Sequence, residues 1–268
     1  MKGTIFLITI CLLISLQSCN NKKTELILLG TVHNPVENFN PEILYTILVK
    51  IKPDLILFEV DSSFFTKNFK FNKTWNSNEN ISTIKYMSNH KVDVRPYDFT
   101  GRNEYRIKIG ARPTDTKVLQ LLDSLYRNNF LNSIDKKIYA DFLIINDSLN
   151  AISLLKPQVF NNSKTDSIAQ VRQLFMYDKF LKIINNNSIF NNTYSIKKDR
   201  DSISYSDGYK RAAEFWELRN KTMAKNILHF VNEYKGKKIV VLNGFFHRYY
   251  LHSILKPKQA SNDFIIKE

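Results

Sequence analysis

Cysteine is almost missing from this chain. Of its 268 residues two are cysteines, Cys11 and Cys19, and both stand near the start. From residue 20 onward there is no thiol, which excludes a cysteine nucleophile, a disulfide framework and cysteine-ligated zinc. Glycine and histidine are sparse as well, at seven and five. The glycines form neither G-x-G-x-x-G nor G-x-x-x-x-G-K, so no phosphate-cradling loop exists and nucleotide binding is disfavoured. The chain has no G-x-S-x-G elbow and no H-E-x-x-H helix, which disfavours a serine hydrolase and excludes zincin chemistry. Acidic residues are the minority, and the formal net charge is +14. The lysines are scattered among Asn and Ile, with no basic stripe and no aromatic RNA-binding pattern, so nucleic acid is not an expected partner. Chemistry in the body of the chain must come from His, carboxylates, hydroxyls or Arg.

Long apolar runs are equally rare, and the one at the N-terminus has a specific form. Lys2 precedes Thr4–Leu16, a run of signal-peptide length that is too short to span a bilayer. It ends in Leu16-Gln17-Ser18-Cys19, followed by Asn20-Asn21-Lys22-Lys23. This stretch is similar to a bacterial lipobox. That similarity implies a signal peptide over residues 1–18, an acylated Cys19 as the first mature residue, and a lipidated tether over 19–24. The bilayer then becomes a partner through acyl chains that anchor without spanning. No Asp follows Cys19, so nothing directs retention at the inner membrane, and an outer-membrane lipoprotein is expected on either face. A basic surface suits anionic lipid or envelope polymers.

The rest reads as one α/β domain, residues 25–268. Leu26–Leu29 is apolar throughout and stops at Gly30; Glu42–Lys52 has helical spacing behind Pro41; Asp54–Val60 is a second apolar run. After an Asn-rich loop, Ile81–Asn89 suits a helix and Val92–Val94 a third strand. Strands that are apolar throughout and separated by helices predict a mostly parallel sheet with helices on both faces. From Thr114 to about Asn185 helical periodicity continues without strand-like runs, which predicts a large helical insertion. Residues 185–207 are rich in Asn and Ser and suggest a mobile loop. A helix is predicted over Tyr209–Glu233, a strand over Lys238–Leu242, a helix over Arg248–Leu255 and a last strand over Asp263–Ile266.

In an open parallel sheet ligands bind beyond the carboxyl ends of the strands. Four segments deliver a titratable group there: His33 after the first strand, Glu59 at the end of the second, Asp98 after the third and His247 after the fourth. Two neutral imidazoles and a carboxylate, His33, His247 and Glu59, can ligate a divalent ion (Mn, Co, Zn or Fe) that activates water. Tyr97 and Asp98 are expected at the substrate. Gly30 and Gly244 each precede a histidine by three positions, and the expectation is that both let the chain leave its strand tightly. His90, His229 and His252 read as surface or core residues.

Gly30-Thr31-Val32-His33, the strand-end Glu59, Arg219-Asn220-x-x-Met223-Ala224 and Gly244-Phe245-Phe246-His247, in this order, resemble the signature of the TraB/PrgY/GumN/Tiki superfamily, which includes erythromycin-esterase-like and ChaN haem-binding proteins. The resemblance covers about 25–100 and 209–255 and is silent on the helical middle. It implies a metal-dependent hydrolase site, with His33 and His247 as ligands or acid/base groups, Glu59 as ligand or general base, Arg219 stabilising an oxyanion or substrate carboxylate, and Asn220 orienting. Phe246 departs from the small residue usual there. Three readings stay open: a metal-dependent hydrolase of an ester or peptide bond, a lipoprotein binding haem or another ligand through Tyr97 or Tyr249, and a non-catalytic interaction protein that keeps the fold.

Overall fold

The computed structural model describes residues 22–267. The signal peptide and lipobox therefore lie outside the described residues. Along the chain come β1 (Thr24–Thr31), α1 (Pro41–Ile51), β2 (Leu55–Phe58), α2 (Asn78–Asn89), β3 (Asp93–Pro96), α3 (Arg102–Lys108), α4 (Thr114–Arg127), α5 (Ser133–Ser153), α6 (Pro157–Phe160) and α7 (Ser163–Leu174). A π-helical turn, Phe175–Lys179, leads into α8 (Phe180–Asn186) and α9 (Ser188–Asn192). Then follow β4 (Tyr194–Ile196), β5 (Ser202–Ser204), α10 (Tyr205–Glu233), β6 (Lys238–Gly244), α11 (Phe245–Leu255) and β7 (Phe264–Lys267). Five strands form one parallel sheet in the order β3-β2-β6-β1-β7. β6, late in the chain, thus lies between β1 and β2 in the middle of the sheet.

The uniformly apolar strands follow from burial on both faces. Leu26, Leu28, Leu55, Leu57, Ile239 and Val241 point to one side, onto Met223, Ile227 and Val231 of α10 and Leu251 and Leu255 of α11. Leu29, Ile56, Phe58, Val240 and Leu242 point to the other, onto Leu44 and Leu48 of α1, Tyr86 of α2, and Leu149 and Phe160 from the insertion. The two-residue alternation of a strand sends neighbours to opposite faces, so each needs an apolar side chain. Capping fixes where the flanking helices begin. Asn40 accepts from the backbone N–H groups of Glu42 and Ile43, and Ser77 from that of Asn80.

The insertion has its own core. Val118, Leu122, Phe142, Phe180, Ile184 and Phe190 pack together with Tyr209 of α10. The N-terminal half of α10 belongs to this cluster and its C-terminal half to the sheet. Between 185 and 207 the structure replaces the expected loop with the end of α8, α9, a β4–β5 hairpin and the start of α10. The polar sequence hides two anchors: Ser195 and Ile203 are buried, and Ile203 packs on Gly110.

The two glycines of the repeated motif act through space rather than through backbone freedom. Gly30 lies within β1 and Gly244 ends β6, and neither has a positive φ. A methyl group on Gly30 would meet Asn161 Oδ1 and Phe245 Cβ, each at 3.0 Å. Asn161 fills that place by pairing with both the N–H and the C=O of Gly30.

Candidate active site

The carboxyl ends of β1, β2, β3 and β6 bring the expected groups together, arranged in two layers. The front layer faces a cavity of about 330 Å³ whose walls include Thr31, His33, Glu59, Trp75, Glu79, Arg102 and Gly244. The back layer lies behind Glu59 and consists of Arg219, Asp98, His247, Asn220 and Trp216. Neither Arg219 nor His247 reaches the front cavity.

Arg219 holds the back layer. Its Nε donates to Asp98 Oδ1 at 2.8 Å, and its Nη2 to Asp98 Oδ2 at 2.8 Å and Glu59 Oε1 at 2.6 Å. Its Nη1 lies 3.0 Å from His247 Nε2. A guanidinium only donates, so that imidazole nitrogen accepts and the ring proton sits on Nδ1. Nδ1 in turn donates to Asn220 Oδ1 at 2.7 Å, while the Asn220 amide donates to the Trp216 carbonyl. Trp216 stacks on the imidazole at 4.4 Å between ring centres. Burial, the largest influence, pushes His247 down to about 4, so the ring is neutral at physiological pH. Burial also opposes the charge of Arg219, and Glu59 and Asp98 outweigh it, holding the guanidinium above its ordinary value.

Glu59 joins the layers. One oxygen takes the Arg219 hydrogen bond and the other accepts from the Gly244 N–H at 2.7 Å. Burial resists its ionisation, but His247 when charged, Arg219, His33 and the Gly244 N–H prevail and hold it at about 2. Gly244 is small for a reason visible here: a methyl group on it would stand 3.3 Å from His33 Nε2 and 3.8 Å from Glu59 Oε2.

His33 stands in the front layer with 62% of its side chain exposed. Its Nδ1 donates to Glu79 Oε1 at 2.8 Å, and the Thr31 hydroxyl donates to the same oxygen. Glu79 is buried in the first turn of α2, where a helix N-terminus favours negative charge. The Glu79 hydrogen bond raises His33 to about 9, against a burial effect of opposite sign. With Nδ1 so occupied, Nε2 is turned toward Gly244 and the cavity. Arg102 lines the same cavity and donates to Asp98 Oδ2 at 2.7 Å.

Several expected roles change in this geometry. His33, Glu59 and His247 do not make a coordination sphere: both His247 nitrogens are engaged, by Arg219 and Asn220, and Arg219 also takes Glu59 Oε1. Among the described residues no group of three or more His, Cys, Asp or Glu side chains is placed to hold a metal ion. Arg219 is a strut behind Glu59; it lines a separate cavity of about 200 Å³ with Tyr177 and Trp216, not the one at His33. Arg102 is the guanidinium at the cavity. Tyr97 is buried and donates to the Leu242 carbonyl at 3.1 Å, which removes it from both substrate contact and iron ligation. Asp98 is enclosed between Arg219 and Arg102 and positions them. Tyr249 lines a different cavity, beside α10.

Glu79, Thr31, Arg102 and Trp216 are site residues that the sequence reading omits. Trp216 was within reach, since it lies three and four residues before Arg219 and Asn220 and so shares their helix face. Glu79 was not, because a carboxylate in the polar run Asn76–Asn80 carries no mark of burial. Comparisons with family models, with curated proteins and with solved structures return no match.

Proposed function

We propose that the protein is a hydrolase of an ester or peptide bond, held at the bacterial envelope by an acylated Cys19, with His33 as its acid and Glu59 as the carboxylate that orients water. One observation carries this reading: His33 and Glu59 line one cavity on either side of Gly244, His33 with its Nδ1 held by Glu79 and Glu59 held by Arg219 and the Gly244 N–H. A charged imidazole and an ionised carboxylate at one cavity offer a proton donor and a hydrogen-bond acceptor at the same pH. No step runs through a metal, because both His247 nitrogens and Glu59 Oε1 are engaged by Arg219 and Asn220.

The water oxygen attacks the carbonyl carbon from beside Glu59, which lines the cavity and whose Oε2 carries a single hydrogen bond, from the Gly244 N–H. A carboxylate held so low is a weak base, so its part is to orient the water, and the water proton passes to solvent as the new C–O bond forms. The negative charge growing on the carbonyl oxygen is met by Arg102. As the bond to the leaving oxygen or nitrogen breaks, His33 Nε2–H supplies its proton, and the imidazole then regains one from bulk water. Glu79 keeps the ring oriented and charged throughout. The expected partners are a small-molecule or peptide substrate and the bilayer, and no nucleic acid.

The test is hydrolysis of p-nitrophenyl esters and short peptides by the purified protein and its His33→Ala variant. Loss of a positioned acid lowers the rate about 10²-fold or more, and the wild-type rate withstands EDTA. Activity that disappears with EDTA and returns with Mn or Zn would restore the metal reading. Full activity in His33→Ala, or a wild type inert on every ester and peptide, would refute the assignment.

A further inference from the structure

The cavity at His33 has an apolar wall that the reaction described above leaves unused. Beside the reacting groups, Phe58, Val60, Phe64, Trp75 and Leu242 line the same space of about 330 Å³. All five belong to, or pack against, the apolar cluster on the α1–α2 face of the sheet. Phe58, Val60 and Leu242 are buried, whereas Phe64 and Trp75 are half-buried.

The segment between β2 and α2 is folded so as to place these two rings. Asp61 caps a short 3₁₀ turn, Ser62–Phe64, by accepting from the Ser63 N–H, and Phe65 bridges to Phe71. The Trp75 N–H donates to Asn80 Oδ1 at 2.9 Å. Phe71 packs on Phe58, Phe65 and Trp75 with ring centres 4.9, 4.6 and 5.6 Å away. Trp75 meets Phe58 at 6.0 Å and Phe64 at 5.4 Å, both edge to face. Three of the four ring neighbours of this cluster are thus spent on one another, and Phe64 and Trp75 keep surface at the cavity.

The lining sets the chemical class. The charges at the cavity are already matched, His33 by Glu79, Arg102 by Asp98 and Glu59 by Arg219, so a charged group on the substrate gains little. What lacks a partner is the open surface of Phe64 and Trp75. Aromatic carbon covers it best, because edge-to-face and offset contacts add to the burial of area. The volume stands at the low end of the ~300–1,000 Å³ usual for small-molecule sites, which suits one ring and the reacting group rather than a long acyl chain. We infer that the cavity selects a substrate with an aryl group one or two bonds from the scissile carbonyl, the ring seated on Phe64 and Trp75 while the carbonyl oxygen meets Arg102. This inference rests on the hydrolase reading for its reaction, but seating the ring needs no turnover.

The experiment follows the indole N–H signals of the two tryptophans by NMR while the intact protein is titrated with phenylacetamide, hexanamide and acetamide to about 20 mM. Phenylacetamide is expected to shift the Trp75 signal saturably, to bind about tenfold or more tighter than either other amide, and to leave the Trp216 signal in place. Phe64→Ala and Trp75→Leu should each weaken it about tenfold or more, read at the Gly244 amide in the second variant. Phe64→Ala is included because loss of Trp75 also loosens the ring cluster. In turnover, kcat/KM for methyl phenylacetate or benzyl acetate should exceed that for methyl acetate about tenfold or more, since one methylene in an apolar pocket is worth that much. That ratio does not depend on the folded fraction, and it should fall in Phe64→Ala. Binding of phenylacetamide without hydrolysis of any ester would refute the hydrolase and keep the ring seat. Hydrolysis with no aryl preference would overturn this inference alone. So would a Trp75 signal that phenylacetamide leaves unmoved, or hexanamide binding as tightly.

Discussion

Replacing Arg219 with methionine keeps most of the side-chain volume and deletes the charge that holds the back layer. Arg219 makes four polar contacts, to Asp98 twice, to Glu59 and to His247. Asp98 retains Arg102 and the Phe99 N–H, but Glu59, 9% exposed, keeps only the Gly244 N–H within hydrogen-bond reach. Removing one partner from a buried ion pair costs about 3–5 kcal/mol, because the other charge stays buried without compensation. In a domain of this size each kcal/mol moves the melting temperature by roughly 2–4 °C, so Arg219→Met should melt about 6–20 °C lower at pH 7. The loss depends on pH in a defined direction. Glu59 is depressed in the folded wild type, so its contribution is present above the unfolded value of about 4.3 and is lost as the pH falls through about 2. The variant lacks that contribution, so the gap between the two proteins is full above about pH 4.3 and narrows below it. Differential scanning calorimetry from pH 3 to 8 measures both, and Glu59→Gln in the Arg219→Met background should recover at least about 1 kcal/mol. A drop below about 2 °C at pH 7, or a gap independent of pH, would refute the view of Arg219 as a buried strut.

Two other predictions concern the front layer and the anchor. Gly244→Ala has an allowed backbone and meets only side-chain atoms of His33 and Glu59, so stability should change by under about 1 kcal/mol while kcat/KM falls about tenfold or more; a stable variant with unchanged kcat/KM would contradict the close approach across Gly244. Cys19→Ala should move the protein from the membrane fraction to the soluble fraction on cell breakage, and a lipid-modified Cys19 peptide should appear by mass spectrometry only in the wild type; a membrane-bound Cys19→Ala would sink the lipoprotein reading.

The sheet was legible because its strands must be apolar on both faces, and Leu26–Leu29, Asp54–Val60 and Lys238–Leu242 contain little else. Their carboxyl ends then named His33, Glu59, Asp98 and His247 by position. What position leaves open is the division of labour. Burial made His247 a neutral prop and Arg219 its strut, and burial follows from Trp216 and the sheet edge, neither of which a motif encodes. The same holds for Glu79. It sits in a stretch so polar that exposure was the natural expectation, yet Asn78, Glu79, Asn80, Ser82 and Thr83 are all buried. Asn78 there donates to backbone carbonyls of the β1–α1 connection, at 2.7 Å to Val32 and 3.2 Å to Asn34, so its polarity serves packing rather than solvation. The β4–β5 hairpin was hidden in the same way, its turn held by Lys197 between Asp199 and Asp201.

In the proposed hydrolase Glu79 keeps His33 charged as the acid while His247 stays neutral behind it. Nitrogen-detected NMR titration of the five histidines in the wild type and in Glu79→Gln tests that directly. Because His33 is raised in the folded state, its contribution to stability is full below about 6.5 and is lost as the pH rises through about 9. The expected result is a His33 midpoint well above neutrality that falls toward about 6.5 in Glu79→Gln, together with a His247 ring that holds its proton on Nδ1 and does not charge above about pH 5. A His33 midpoint near 6.5 that Glu79→Gln leaves in place, or a His247 that is protonated at neutral pH, would contradict it.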